Sequence, residues 1–415
     1  MSLFCRNGRS DSLVLEGRLA GGDCVAVTVT EGVVSAIEPA AATARVLAPA
    51  FVDPHVHLRS PGREDEETIA SGTAAAAAGG YCAILAMPNT DPVVDSAAVL
   101  GSLVAAAKRD ALVPTGFMAA ISKGLDGEEL TEMGELADAG AAAFTDDGRP
   151  VRSAGLMRRA YQYAGRPLAL HCEEPTLSRD GQVHEGPVAA ELGFAPYPSV
   201  AESAMVERDL SLAAYEERSV HLMHLSARES VEALRAARAR GIEATAEVTP
   251  HHLVLTDEAV RSLDPNVKMN PPLRGESDRR ALVEALRDGT ISCVATDHAP
   301  HSREEKEAPF EEAPFGVTGL ETAFAALYTH LVEPGLIPLE TLLERMSAGP
   351  ARALGLPVPA IEVGARANLV LLELEREWTV EEAGFRSRSA NSWLLGQRLR
   401  GTVLTTVADG RVVHG

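Results

Sequence analysis

Eight short apolar runs, most of them separated by a stretch of helix length, constrain this chain more than any other feature. They are Ala48–Asp53, Cys82–Ala86, Val113–Ala119, Ala141–Thr145, Leu168–Leu170, Val220–Met223, Glu243–Val248 and Ile291–Ala295. Between them Glu66–Ala78, Val94–Lys108, Glu128–Ala139, Ser199–Glu216, Ser230–Arg240 and Ser277–Asp288 read as helices. Such alternation defines an α/β fold with a parallel sheet. Eight units close into a (β/α)8 TIM-type barrel of about 250 residues before insertions. A doubly wound open sheet is the competing fold. The flanks read differently: Ser12–Leu15, Cys24–Thr30 and Val33–Pro39, and later Asn368–Leu374, Gly401–Ala408 and Arg411–His414, are strand-like with turns.

The placement of polar residues favours the barrel. Nearly every run ends in a cluster of chemically capable side chains. The first leads into Asp53, His55, His57 and Arg59, and the second into Asn89. The fourth ends in Asp146-Asp147, the fifth in His171 and the sixth in His224. The seventh ends in His251-His252, and the eighth in Asp297, His298 and His301. In a barrel all C-terminal strand ends meet on one face, where active sites are built.

His55 and His57 stand two apart, so on a strand both imidazoles point the same way. Neutral imidazoles on one side suit a divalent cation such as zinc. Adding Asp147, His171, His224 and Asp297 gives more ligands than one tetrahedral zinc needs. The set suits two metals sharing a carboxylate and a hydroxide, with that hydroxide a ready nucleophile near neutral pH. An aspartate at the eighth strand end could also accept and return a proton.

Composition narrows the partners. With 38 basic and 59 acidic residues the net charge is −21, which argues against nucleic acid and anionic membranes. Five scattered cysteines (Cys5, Cys24, Cys82, Cys172 and Cys293), without C-x-x-C, exclude a disulfide framework and suit a reducing cytosol. The first residues lack the apolar core of a leader peptide. The longest apolar stretch, Ala74–Met87, is interrupted by Gly79-Gly80 and is too short to cross a bilayer.

In order, DPHVHLRSPG, AMPNTDP, FTDDG, LHCEE, HLMHLS, KMNPPLR and ATDHAPHSREEK resemble the amidohydrolase superfamily, and most closely the bacterial class I dihydroorotases. GPVAAELGFAPYPSV, PFGVTGLET and the tail FRSRSANSWLLGQRLRGTVLTTVADGRVV extend the likeness over nearly the whole chain. The resemblance implies a small β-sandwich domain formed by residues 1–47 and 360–415, around a hydrolase barrel spanning 48–359. It implies one or two zinc ions, with His55, His57 and Asp297 on one, His171 and His224 on the other, and Asp147 between them. Asp297 would be the catalytic base and acid. Arg59, Asn89 and His301 would grip the substrate, Asn270 would face it, and the backbone at Gly316 would border the pyrimidine. The implied reaction is the reversible cyclisation of N-carbamoyl-L-aspartate to L-dihydroorotate. The implied enzyme is a cytoplasmic homodimer acting on a small anion, with aspartate transcarbamoylase a candidate partner.

Dihydropyrimidinase, hydantoinase and allantoinase are similar too, but such enzymes usually bridge their metals with a carboxylated lysine at the fourth strand end. The four lysines here are Lys108, Lys123, Lys268 and Lys306, none within Ala141–Gly148. This favours dihydroorotase, while leaving open whether Asp146 or Asp147 is the bridge. A non-catalytic paralogue scaffolding a transcarbamoylase is the alternative of a different class, and the filled ligand positions argue against it. Among the remaining residues, His298 is expected to orient Asp297. His221, His251 and His252 are expected to pack, and Cys172 to lie in the core. Glu173 and Glu174 are left between a site role and a solvated one. The loop after Asp147 is either a lid or a simple turn, and Arg303–Glu307 reads as solvated surface.

Overall fold

The computed structural model describes residues 12–415. Cys5 and the stretch read as lacking a leader lie outside the described residues. Strands β1 (Ser12–Arg18), β2 (Cys24–Thr30), β3 (Val33–Pro39) and β4 (Val46–Pro49) open a sheet that the end of the chain completes. β2 alternates buried and half-buried residues along its length, the period of a strand with one face inward. The expected first barrel strand, Ala48–Asp53, is in fact two strands. The Ala50 N–H bonds to Asn368 O at 3.0 Å, whereas Phe51 N–H bonds to Gly80 O at 2.9 Å. The chain changes sheets between these two residues, so β5 (Phe51–Val56) starts the barrel.

From β5 the parallel order runs through β6 (Tyr81–Ala86) and β7 (Thr115–Phe117). The expected fourth strand is reduced to bridges at Phe144, which pairs in parallel with Ala119 on one side and Leu168 on the other. The order continues through β8 (Ala169–Leu170). An insertion then carries the short ribbon β9 (Val183–His184) and β10 (Pro196–Tyr197). β11 (Val220–Leu222), β12 (Ala244–Val248) and β13 (Cys293–Val294) follow. A parallel bridge from Val56 to His298, with His57 N–H on His298 O at 2.8 Å, returns to β5 and completes eight positions.

The helices lie between these positions. α1 (Ile69–Ala78) begins at a capping box, in which Thr68 and Ser71 satisfy each other's backbone N–H groups. It stops at Gly79, where a Cβ would lie 2.0 Å from Leu320 O, a close approach that only glycine permits. α2 (Ala97–Asp110) and α3 (Met133–Asp138) follow. α4 (Ala154–Tyr163) was not among the helices read from the sequence. Its buried face is only Leu156, Met157, Ala160 and Tyr161, and Arg158, Arg159 and Gln162 interrupt the apolar pattern. α5 (Val200–Tyr215), α6 (Arg228–Ala239) and α7 (Glu276–Asp288) match the expected stretches to within a few residues.

β14 (Leu369–Thr379), β15 (Arg398–Ala408) and β16 (Arg411–His414) return to the first sheet, giving the order β16-β15-β14-β4-β1-β2-β3. Val34 N–H bonds to Ala365 O at 2.9 Å, so the edge strand β3 folds back toward the start of β14. Leu15, Val27, Val34, Leu47, Leu369 and Val407 fill the interior between the two halves. Residues 46–49, part of which was assigned to the barrel, belong to this sheet. The run Arg303–Glu307 departs from the solvated reading: Lys306 is buried, because its ammonium finds backbone carbonyls inside. No helix among the described residues is long and apolar enough to cross a membrane.

Candidate metal centre

The barrel order brings His55, His57, Asp147, His171, His224 and Asp297 together at its C-terminal end. His55, His57 and His171 are each fixed through one nitrogen, which leaves the other directed at carboxylates. His55 Nδ1 donates to Glu247 Oε1 at 2.7 Å. Its Nε2, buried and without a hydrogen-bond partner, lies 3.3 Å from Asp297 Oδ1 and 3.7 Å from Asp147 Oδ1. His57 Nδ1 faces Asn89 Oδ1 at 3.0 Å, and its Nε2 lies 3.0 Å from Asp297 and 3.6 Å from Asp147. His171 Nε2 is held by Glu173 at 3.0 Å, with Nδ1 3.8 Å from Asp147. His224 Nε2 is 3.7 Å from the same Asp147 oxygen.

Asp146 and Asp147 separate cleanly. Asp146 Oδ1 accepts the backbone N–H groups of Ile121 (2.7 Å) and Ser122 (3.0 Å), and its other oxygen takes the Ser122 hydroxyl. Burial raises its carboxyl to about 6 against these bonds. Asp147 is the carboxylate that faces the four imidazoles.

The electrostatics test whether a cation fits. Lone pairs of His55 and His57 point at the same two carboxylates, an arrangement that needs a positive charge among them. Burial would lower His55, but Asp297, Asp147 and Glu247 outweigh it and hold the imidazole well above its ordinary value. Burial would raise Asp147 and Asp297, yet the surrounding imidazoles hold both below the usual carboxylate range. His55, His57 and Asp297 converge within metal-ligating distance of one another, as do His55, Asp147 and His224. Nitrogen and carboxylate donors in this number fit a divalent metal site.

Three site residues have a positive φ despite carrying side chains: Arg59 (+55°), His224 (+31°) and Asp297 (+49°). Such conformations persist where neighbours enforce them. Glu247 accepts the His224 N–H at 3.3 Å, and Glu202 takes the Ser226 and Ala227 N–H groups just beyond. Asp53 grips Thr296, beside Asp297, through its backbone and hydroxyl.

A cavity of about 350 Å³ opens over the cluster. Every ligand and substrate residue implied by the resemblance lines it except His55, which is buried. Asn89 is engaged at both ends, by His57 and by Asp147 at 3.1 Å. Arg59 rests on Pro300 O (3.0 Å) and Glu66 (3.1 Å). Asn270 donates to Glu173 at 3.2 Å, and its carbonyl oxygen is buried without a partner. Gly148, in the loop after Asp147, also lines the cavity. A larger groove of about 700 Å³ beside α1 and α2 carries no histidine.

Sequence reasoning passed over Glu247. It is buried on β12 and joins His55, His221 (3.0 Å) and the His224 backbone. An acid inside a short, otherwise uncharged strand, ATAEV, was the available signal. Glu173 and His221, left without a firm role, prove to be held in the same network. His252 bridges Thr249 (2.7 Å) and Pro271 O (2.9 Å), which tethers the residue after Asn270. Cys172 lies in the core.

Comparison with known proteins agrees with this geometry. An L-hydantoinase (dihydropyrimidinase) from Arthrobacter aurescens superposes with a TM-score of 0.86, at 25% identity, over 96% of this chain and 94% of its own. A dihydropyrimidinase from Brevibacillus agri superposes with a TM-score of 0.79 at 22% identity, over 96% and 93%. Fold and site together define a cyclic amidohydrolase. Residues 44–230 match the dihydro-orotase-like family model. Dihydroorotases of Pelotomaculum thermopropionicum and Listeria innocua are 44% and 46% identical, covering 97% and 90% of this chain and 93% and 88% of theirs. The chain belongs to the dihydroorotase family.

Proposed function

We propose that this enzyme is a zinc-dependent dihydroorotase, interconverting N-carbamoyl-L-aspartate and L-dihydroorotate in pyrimidine biosynthesis. The observation that carries the reading is Asp147, a carboxylate facing four imidazoles where the lysine-bridged relatives place a carboxylated lysine. His55, His57 and Asp297 would hold one zinc, and His171 and His224 a second, with Asp147 available to both. When bound, zinc supplies a water nucleophile at neutral pH and draws charge from the amide carbonyl.

The chain's own residues do the rest. Asp297 rests as a carboxylate: on ring opening it takes a proton from the attacking water and passes it to the departing ring nitrogen, and on cyclisation the proton travels the reverse way. Arg59, steadied by Glu66 and Pro300, pairs with the substrate carboxylate, and His301 borders the same end. The free carbonyl oxygen of Asn270 accepts a ring N–H. Gly316 brings backbone against the ring: with φ +110°, a Cβ there would lie 2.6 Å from Ala299 Cβ and 3.5 Å from His301 Nε2. The −21 total does not repel the substrate, because close groups outweigh distant screened ones. The reading includes residues 12–50 and 360–415 as a small β domain beside a barrel of 51–359. It also includes a cytoplasmic homodimer able to join an aspartate transcarbamoylase.

Zinc-loaded protein assayed on dihydroorotate, dihydrouracil, hydantoin and allantoin tests the proposal. Consumption of dihydroorotate, with about one to two zinc ions per chain, is expected. Turnover of dihydrouracil or hydantoin with dihydroorotate untouched would remove the substrate assignment. Silence on all four would favour a non-catalytic scaffold.

A further inference from the structure

Only four of the chain's basic residues are lysines, and Lys268 and Lys306 are both buried. Burying an ammonium is costly unless its protons are satisfied. Of the four, only Lys123 forms an ion pair among the described residues. Lys268 Nζ instead donates to the carbonyls of Phe310 (2.7 Å) and Glu311 (3.0 Å). It also lies 5.3 Å and 4.9 Å from the ring centroids of Phe310 and Phe315. Lys306 Nζ donates to the carbonyls of Pro265 (2.9 Å) and Pro314 (2.8 Å). Both ammoniums therefore tie the segment after β12, which carries Asn270, to the segment after β13.

What they hold is one wall of the cavity. Pro314, Phe315 and Gly316 line it without belonging to any helix or strand. Each is nevertheless pinned. Lys306 takes Pro314 O, and His301 Nε2 donates to Phe315 O at 2.8 Å. Gly316 N–H bonds to the backbone carbonyl of Lys268 at 2.9 Å, and Asn391 Nδ2 donates to Gly316 O at 3.3 Å. A compact ammonium fits between two carbonyls where the broad, planar guanidinium of arginine does not, which gives lysine a reason to stand here in an arginine-rich chain.

We propose that Lys268 and Lys306 are positioning residues for substrate binding, bracing the Pro314–Gly316 wall against the segment that carries Asn270. The proposal rests on the reading that this cavity takes the substrate ring. Neither lysine reaches the ligand cluster, so the brace acts on affinity and leaves the chemical step alone.

The test uses the zinc-loaded full chain with Lys306→Met and Lys268→Met. Steady-state kinetics on dihydroorotate are paired with hydrogen exchange of the peptide spanning residues 308–320, measured without substrate. The expected result is a KM raised about tenfold with kcat within about threefold of wild type, because donors are lost far from the reacting bonds. Faster exchange over 314–317 should accompany it. A folded variant with KM and exchange both unchanged overturns the proposal, as does a fall in kcat at constant KM. Should the methionine variants fail to fold, Lys306→Gln and Lys268→Gln retain an amide donor and carry the same readouts in the same direction. A wild type silent on dihydroorotate overturns the substrate reading alone, and the exchange result then decides the brace.

Discussion

The two sides of the cavity are built by different means. The ligand side stands on strand ends, where parallel pairing fixes each backbone before any side chain acts. β5 is paired to β6, and the bridge from Val56 to His298 ties it to the segment carrying Asp297. The opposite wall, Pro314–Gly316, is irregular chain held by side chains reaching in from elsewhere. The difference teaches where each kind of substitution acts. On the ligand side a change removes chemistry or metal from a backbone that stays put. On the wall a change loosens the backbone itself and shows first in binding.

The largest effect should come from Asp297→Asn. Turnover should fall by about a thousandfold or more, since the proton carrier is lost from a site whose ladder is untouched. Circular dichroism should show the fold intact, and retained activity would remove Asp297 from the mechanism. Next come the neighbouring aspartates. Asp147→Asn should strip zinc, read by metal analysis after gel filtration. Asp146→Ala should keep the metal and lose about 1–3 kcal/mol of stability, because it leaves the buried Ile121 and Ser122 N–H groups without their acceptor. Equal metal loss in both would mean that the cluster tolerates neither side of the turn moving. Glu247→Gln should weaken zinc binding by about 10–100-fold in chelator competition, as loss of a carboxylate orienting a ligand imidazole does. An unchanged affinity would show that barrel packing alone orients His55.

These contrasts also explain what the sequence made legible. The ligand side could be read because i, i+2 spacing on a strand and polar residues at run ends are local signals, and His55 and His57 displayed both. Asp146 against Asp147 could not be read, because their side chains differ by a backbone direction that only Ile121 and Ser122 define. The wall was less legible still. Gly316 came from family likeness, and the run containing Lys306 looked like solvated surface because its burial depends on carbonyls at Pro265 and Pro314, far apart in sequence. Glu247 was missed for a similar reason: its partners come from β5 and β11. The strand break at Ala50 follows from a change of hydrogen-bond partner, which no periodicity within the strand reveals.

Glu173 gives the finest test, because it touches both sides at once. Its carboxylate holds His171 on the ligand side at 3.0 Å and Asn270 on the wall side at 3.2 Å, with the Ser178 hydroxyl on its other oxygen. Burial would raise its carboxyl, but these bonds prevail and lower it from 4.5 to about 2. A carboxyl depressed by folding stabilises the protein above its unfolded value. That contribution fades as the pH drops through the folded value. In zinc-free protein, Glu173→Gln should therefore be less stable than wild type near neutral pH, and the difference should shrink steadily from about pH 5 toward about pH 2. Denaturant titrations at several pH values measure it. A gap that stays constant over that range would mean that the two sides meet through packing, with the charge of Glu173 contributing nothing to their union.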